Sequence, residues 1–300
     1  MGLTTEHGGP DGPARGYETV PLLVAGAVNG ADPGGGAAVL RRRTARPSRR
    51  AVVYVHCLGD SFVPADLVGW YTDRGFDFYA ADLRPVADAG PDANRPAGEL
   101  GIYFACLDAA VTHLRAADAI DTVVVSAHAA GALFAALWCH ARRGSQPVDA
   151  LVLARPDLGA GPVWPARVSA RGDGAAARSS PLVAGAQRRL RRGLEIACPV
   201  LVMCPAAGGH GPGGPGALLP LGILGALGAL GTLASRRATI RLGEHVTWLT
   251  LDGGLPGQPP APAPQRRRFL DELGRWLSAY LSGQIRDQLL LSGAVTAPTR

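Results

Sequence analysis

The stretch Thr122-Val123-Val124-Val125-Ser126-Ala127-His128-Ala129-Ala130-Gly131 decides how the rest of the chain reads. Its four leading β-branched residues have the pattern of a short strand buried on both faces of a parallel sheet. Ala127 to Gly131 then carries only one side chain larger than a methyl, that of His128. Beyond it, Leu133, Phe134, Leu137 and Trp138 recur at helical spacing. Strand, tight turn and helix follow one another with no room for a loop. Small residues are needed there because the strand and helix backbones run close together.

Outward from this centre, the same alternation recurs. Residues 51–56 (Ala-Val-Val-Tyr-Val-His) and 76–82 (Phe-Asp-Phe-Tyr-Ala-Ala-Asp) read as strands, as do 149–154, 198–204 and 245–251. Helical spacing fills 63–73, 99–117 and 265–281; in the second, Leu100, Tyr103, Phe104, Leu107, Val111 and Leu114 form one stripe. Residues 17–25 and 37–42 read as two further strands starting the sheet as an antiparallel edge. The fold class expected is α/β: a mostly parallel, doubly wound sheet with helices on both faces and a reduced cap. The expected organisation is a disordered segment at 1–16, one domain at 17–281 and a tail at 282–300. Within the domain, 155–193 loses its periodicity and stands as the reduced cap, and 205–235 is a Gly-rich and apolar insert. Inside that insert, 217–234 is uncharged, with Gly222, Gly225, Gly228 and Gly231 at every third position. Its length is near the lower limit for a membrane span. The favoured reading is a glycine-weakened helix on the sheet, with membrane contact as the lesser alternative.

Composition narrows the function classes. The 300 residues carry a formal charge of +6, and all 30 basic residues are arginine. Their clusters, 41–43, 188–192 and 266–268, lack the interleaved aromatics on which bases stack, so no nucleic acid is expected. Five irregularly spaced cysteines form neither a disulfide framework nor a C-x-x-C metal pattern. No cofactor and no metal are expected. Residues 1–16 lack an apolar run after a basic start, so the expected location is the cytoplasm.

Three stretches together resemble the α/β-hydrolase superfamily, in particular the serine aminopeptidase or lysophospholipase-like branch common in actinobacteria. They are residues 52–61 (Val-Val-Tyr-Val-His-Cys-Leu-Gly-Asp-Ser), residues 76–84 with Asp82-Leu83-Arg84, and the central turn. The resemblance implies that Ala127-His128-Ala129-Ala130-Gly131 occupies the nucleophile elbow, G-x-S-x-G, in which the serine attacks the substrate carbonyl. Here that position is Ala129. It further implies a histidine after the last strand, within Gly-Gly-Leu-His; this chain has Gly253-Gly254-Leu255-Pro256. The acid would come from the segment after Cys204, yet residues 205–235 contain no Asp or Glu. Nucleophile, base and acid are therefore all absent from their expected places, and triad members act as a unit.

The oxyanion hole depends on backbone N–H groups, expected here at Leu58 and Ala130, and so survives changes of side chain. The other pocket candidates are His56, Cys57, Asp60, Ser61 and His128. Cys57 and Cys204 end core strands, at the rim where open α/β sheets bind ligands. The leading expectation is a hydrolase-fold protein without hydrolysis, binding a small apolar, carbonyl-containing molecule or a protein partner. The alternatives are a non-hydrolytic cyclase, lyase or isomerase using the oxyanion donors, and an esterase-like or lipase-like enzyme with a relocated nucleophile.

Overall fold

The computed structural model describes residues 4–5, 17–22, 38–42, 47–55, 62–82, 98–154, 181–190, 192–205, 242–243, 245–251 and 263–281. Its elements, in chain order, are β1 (Thr4–Thr5), β2 (Glu18–Pro21), β3 (Ala38–Arg42), β4 (Arg50–Val55), β5 (Phe62–Val63), α1 (Ala65–Asp73), β6 (Asp77–Asp82) and α2 (Gly98–Ala116). They continue with β7 (Thr122–His128), α3 (Ala130–Ala141), β8 (Ala150–Ala154), α4 (Pro181–Leu190), β9 (Val200–Pro205), β10 (Val246–Leu251) and α5 (Ala263–Leu281).

Eight strands form one sheet in the order β10-β9-β8-β7-β4-β6-β3-β2. The six from β10 to β6 are parallel; β3 pairs antiparallel with β6, and β2 antiparallel with β3. Two expectations are met here, the parallel core and its antiparallel edge. The short β1 and β5 pair separately, parallel, so Thr4 and Thr5 lie beside Phe62 and Val63. The remainder of 1–16, most of 155–193, residues 206–235 and all of 282–300 fall outside the described residues.

Alternation of side chains along each strand divides the core in two. Val53 and Val55, Val123 and Val125, and Leu151 and Leu153 pack with the buried faces of α2, α3 and α4. Val52, Phe78, Val124, Val152, Leu201 and Leu249 pack on the other side with α1 and α5. Because both faces are covered, the centres of β4, β7, β8 and β9 are almost wholly apolar.

Local chemistry sets the helix boundaries. Pro64 precedes α1, and Asp66 sits in its first turn, where a carboxylate complements the N-terminal dipole. The helix stops in a Schellman motif: Phe76 N–H donates to Tyr71 O at 3.1 Å and Gly75 N–H to Thr72 O at 3.0 Å. Gly75 supplies the left-handed turn, with φ +76°. On α5, Trp276 Nε1 donates to Thr247 Oγ1 on β10 at 3.0 Å, so the one polar atom of a buried tryptophan is satisfied.

Helix α3 is buried from Gly131 to Cys139. A helix enclosed on every side is apolar all round, which explains its run of alanines. Tyr103 of α2 stacks on Phe134 with ring centroids 5.1 Å apart. Trp138 Nε1 donates to Asp108 Oδ1 of α2 at 2.8 Å, and Arg142 Nη2 to Asp108 Oδ2 at 2.6 Å. One carboxylate thus ties the last turns of α3 to α2.

A second polar knot lies toward the opposite end of the sheet from the central turn. Asp118, in the connection from α2 to β7, accepts from Arg41 Nη1 at 2.8 and 3.0 Å and from Tyr79 OH at 2.7 Å. His113 Nε2 stands 3.4 Å from the same carboxylate. Burial alone would lower the Arg41 pKa, but its bonds to Glu18 and Asp118 outweigh this and raise it. Burial, reinforced by the bond to Asp118, holds the Tyr79 phenol far above its ordinary value. Together these groups form a clamp joining β2, β3, β6 and the end of α2.

Candidate functional site

The site is built at the junction of β7 and α3. β7 ends at His128 and α3 begins at Ala130, so a single residue makes the turn. Ala129 has φ +51° and ψ −122°, outside the β and both helical regions. A residue with a Cβ costs of order 1–3 kcal/mol in such a conformation. Two backbone bonds hold it there. Ala129 N–H donates to Ala154 O at the end of β8, at 3.0 Å, and Ala132 N–H to Ala129 O at 3.1 Å. The result is a sharp, strained strand-to-helix turn with a methyl group at its apex.

The strain gives a direct test. Ala129→Gly should raise the unfolding free energy by about 1 kcal/mol, strain relief exceeding the entropy glycine adds to the unfolded chain. The midpoint of urea unfolding would move up with no change in slope. A downward shift would show that the alanine conformation carries no strain.

Sheet register positions the neighbours. Val55, the last residue of β4, lies opposite Ala127, and Ala154, the last of β8, opposite His128. The turn is therefore flanked on both sides by carboxyl ends of parallel strands, the rim where ligands enter open α/β sheets. Ala130 opens α3, and the first-turn N–H groups of a helix have no intrahelical acceptor. His128 is half-buried at the rim. Of the residues expected at the site, His128, Ala129 and Ala130 are thus brought together. His56, Cys57, Leu58, Asp60, Ser61 and Pro256 lie outside the described residues.

Two other candidate nucleophiles are placed by the strands. Ser126 is the hydroxyl nearest the turn in sequence, but it is buried within β7 between Tyr54 and Val152 of the adjoining strands. Across the packing, α1 presents Tyr71, whose phenol burial pushes far up, with Ser126 opposing the shift only in part. No good hydrogen-bond geometry reaches the Tyr71 hydroxyl. This polar pair in the core escaped sequence reasoning, since Ser126 sits inside an otherwise apolar run and Tyr71 on a separate helix. Cys204 is half-buried near the end of β9, and β8 intervenes between β9 and β7. Two strand spacings, about 10 Å, separate its backbone from the elbow strand. Among the described residues, no group of His, Cys, Asp and Glu is arranged to hold a metal ion.

The architecture recurs in solved esterases. The Pyrobaculum calidifontis esterase is 16% identical, covering 92% of this chain and 87% of that one, with a TM-score of 0.57. Thermogutta terrifontis esterase 2, captured phosphoramylated by tabun, is 14% identical over 91% and 97%, with a TM-score of 0.52. Est1E from Butyrivibrio proteoclasticus, solved with ferulic acid, is 12% identical over 82% and 96%, with a TM-score of 0.51. No protein-family model matches the sequence, and no curated protein does either. At these identities the likeness is one of fold: the chain has the α/β-hydrolase fold.

Proposed function

We propose that this chain is a non-hydrolytic member of the α/β-hydrolase fold whose strand rim binds a small apolar, carbonyl-containing molecule or a protein partner. The observation that carries this reading is Ala129 at φ +51°, ψ −122°: the elbow geometry is kept where no attacking atom remains. An elbow aligns a nucleophile with oxyanion donors; without the nucleophile, donors such as the Ala130 N–H can still receive a carbonyl oxygen. Pro256 in the place of the base, and the acid-free segment 205–235, support the same reading from the sequence. So does the resemblance to the serine aminopeptidase or lysophospholipase-like branch, as the source of a scaffold that has lost its triad. The cytoplasm is the proposed location; no helix among the described residues is long and apolar enough to cross a membrane.

The test uses wild-type protein and Ala129→Ser side by side. Neither should take up a fluorophosphonate probe or hydrolyse short acyl esters above the solvent rate, because a serine without a base stays a neutral alcohol. Ester turnover by Ala129→Ser would show that a base reaches the elbow after all. Labelling of the wild type, mapped to Cys57 or Cys204, would replace this reading with that of a relocated nucleophile.

A further inference from the structure

The arginine run at 188–192 has no part in the elbow. Helix α3 starts at the rim, and its 12 residues carry it about 18 Å away, toward the opposite end of the sheet. Helix α4 packs beside it. Arg188 and Arg189, in the last turn of α4, are exposed, as is Arg192 in the turn that follows. That turn is tight: Arg192 N–H donates to Arg189 O at 3.0 Å, and Gly193 N–H to Leu190 O at 2.9 Å. Arg188 folds back along the helix, its Nη2 3.7 Å from where a Cβ on Gly185 would stand. Three residues beyond Arg192, the chain is fixed to the end of α3. Glu195 N–H donates to His140 Nδ1 at 2.9 Å, and the Glu195 carboxylate pairs with Arg143 Nε at 2.9 Å. Three residues of extended chain reach at most about 11 Å, so the backbone of Arg192 lies within that distance of Glu195. Arg142, beside Arg143, is held by both oxygens of Asp108, at 2.6 and 3.0 Å. Arginines from two separate stretches, 142–143 and 188–192, thus share one surface with the carboxylates of Asp108 and Glu195. Asp149, at the foot of β8, is taken by Arg115 Nη2 at 3.1 Å and by Val123 N–H at 2.8 Å. Arg188, Arg189 and Arg192 pair with no acid among the described residues. Arg192 stands three residues from Arg189 and four from Arg188, spacings at which like charges repel. The C-terminal dipole of α4 offsets only part of that repulsion.

We propose that this surface docks an acidic segment of a protein partner, whose carboxylates take the guanidinium edges of Arg188, Arg189 and Arg192. Arg142 and Arg143, already oriented by Asp108 and Glu195, frame the contact. An acidic polypeptide fits better than a bilayer. The carboxylates built into the surface repel a uniform sheet of anionic headgroups, whereas a polypeptide can place its own charges between them. The exposed residues around the arginines, Ala141, Gly144, Ser145, Gln146 and Ala197, also offer no large apolar side chain to insert into lipid. Because α3 separates this surface from the elbow by its full length, docking leaves the strand rim open.

The experiment titrates the full chain with a fluorescein-labelled deca-glutamate peptide at about 0.15 M salt, where exposed charges more than about 8 Å apart are largely screened. The triple variant Arg188→Gln, Arg189→Gln, Arg192→Gln should bind about tenfold more weakly than wild type, three exposed ion pairs being lost. A control variant, Arg49→Gln, Arg267→Gln, Arg268→Gln, removes the same net charge from exposed positions elsewhere. Its affinity should change by no more than about twofold. Equal weakening in the two variants would mean that binding follows net charge alone, and would overturn the proposal. So would a wild type that ignores the peptide, or one that prefers phosphatidylserine vesicles and loses them in the first variant. Wild type alone gives a second reading should a variant fail to fold. The peptide should slow amide exchange over 186–195 and leave 263–281 unchanged; the reverse pattern would place the contact on α5 instead.

Discussion

Asp118→Ala is expected to lower the unfolding free energy by about 3 kcal/mol, read from urea unfolding at neutral pH. Its carboxylate is only 5% exposed and accepts from Arg41 and Tyr79. Removal leaves the Arg41 side chain, 11% exposed, with Glu18 as its remaining acidic partner among these contacts, and Glu18 is 62% exposed. It also leaves the buried Tyr79 phenol without this acceptor. Each loss adds a desolvation cost that the folded state cannot recover. Glu18→Ala, by contrast, removes an exposed partner and should cost no more than about 1 kcal/mol. Equal losses in the two variants would mean that Arg41 is solvated and the knot is a surface feature. The raised Tyr79 pKa adds a pH dependence of definite sign. Its contribution is full below the ordinary tyrosine value of about 10 and falls as pH rises toward the displaced one.

Trp138→Ala should be costlier still, about 4 kcal/mol, because a fully buried indole is replaced by a methyl in a layer that cannot collapse around it. The sheet, α2 and α4 all bear on α3. Trp138→Phe keeps most of the packing but loses the 2.8 Å bond to Asp108, and should cost about 1.5 kcal/mol. Thermal and urea unfolding of both variants gives the two numbers. A phenylalanine variant as unstable as the alanine one would place the tryptophan's value in its N–H rather than its bulk.

The fold was legible because its determinants are local. Residues 51–55, 123–127 and 150–154 are unbroken buried runs, apolar but for Ser126, and such runs, separated by helical stripes, leave few topologies open. The turn at Ala129 was legible for the same reason, since strand, small residues and helix adjoin in sequence. What escaped were contacts between distant parts of the chain. Nothing near Asp118 announces that Arg41 will reach it, nor anything near Trp138 that Asp108 will. Helix α4 was hidden for another reason. Its sequence, Pro-Leu-Val-Ala-Gly-Ala-Gln-Arg-Arg-Leu, buries Ala186 and Leu190, and the alanine and glycine around it leave no strong stripe to read.

The enclosure of α3 bears on motion as well as stability. A helix whose residues 131–139 are all buried cannot tilt unless the layers around it part. The bend at its head therefore opens only when most of the core opens too, at nearly the free energy of global unfolding. A visiting molecule would thus meet a contour set in advance, and the entropy of arranging that part of its berth is spent during folding rather than on arrival.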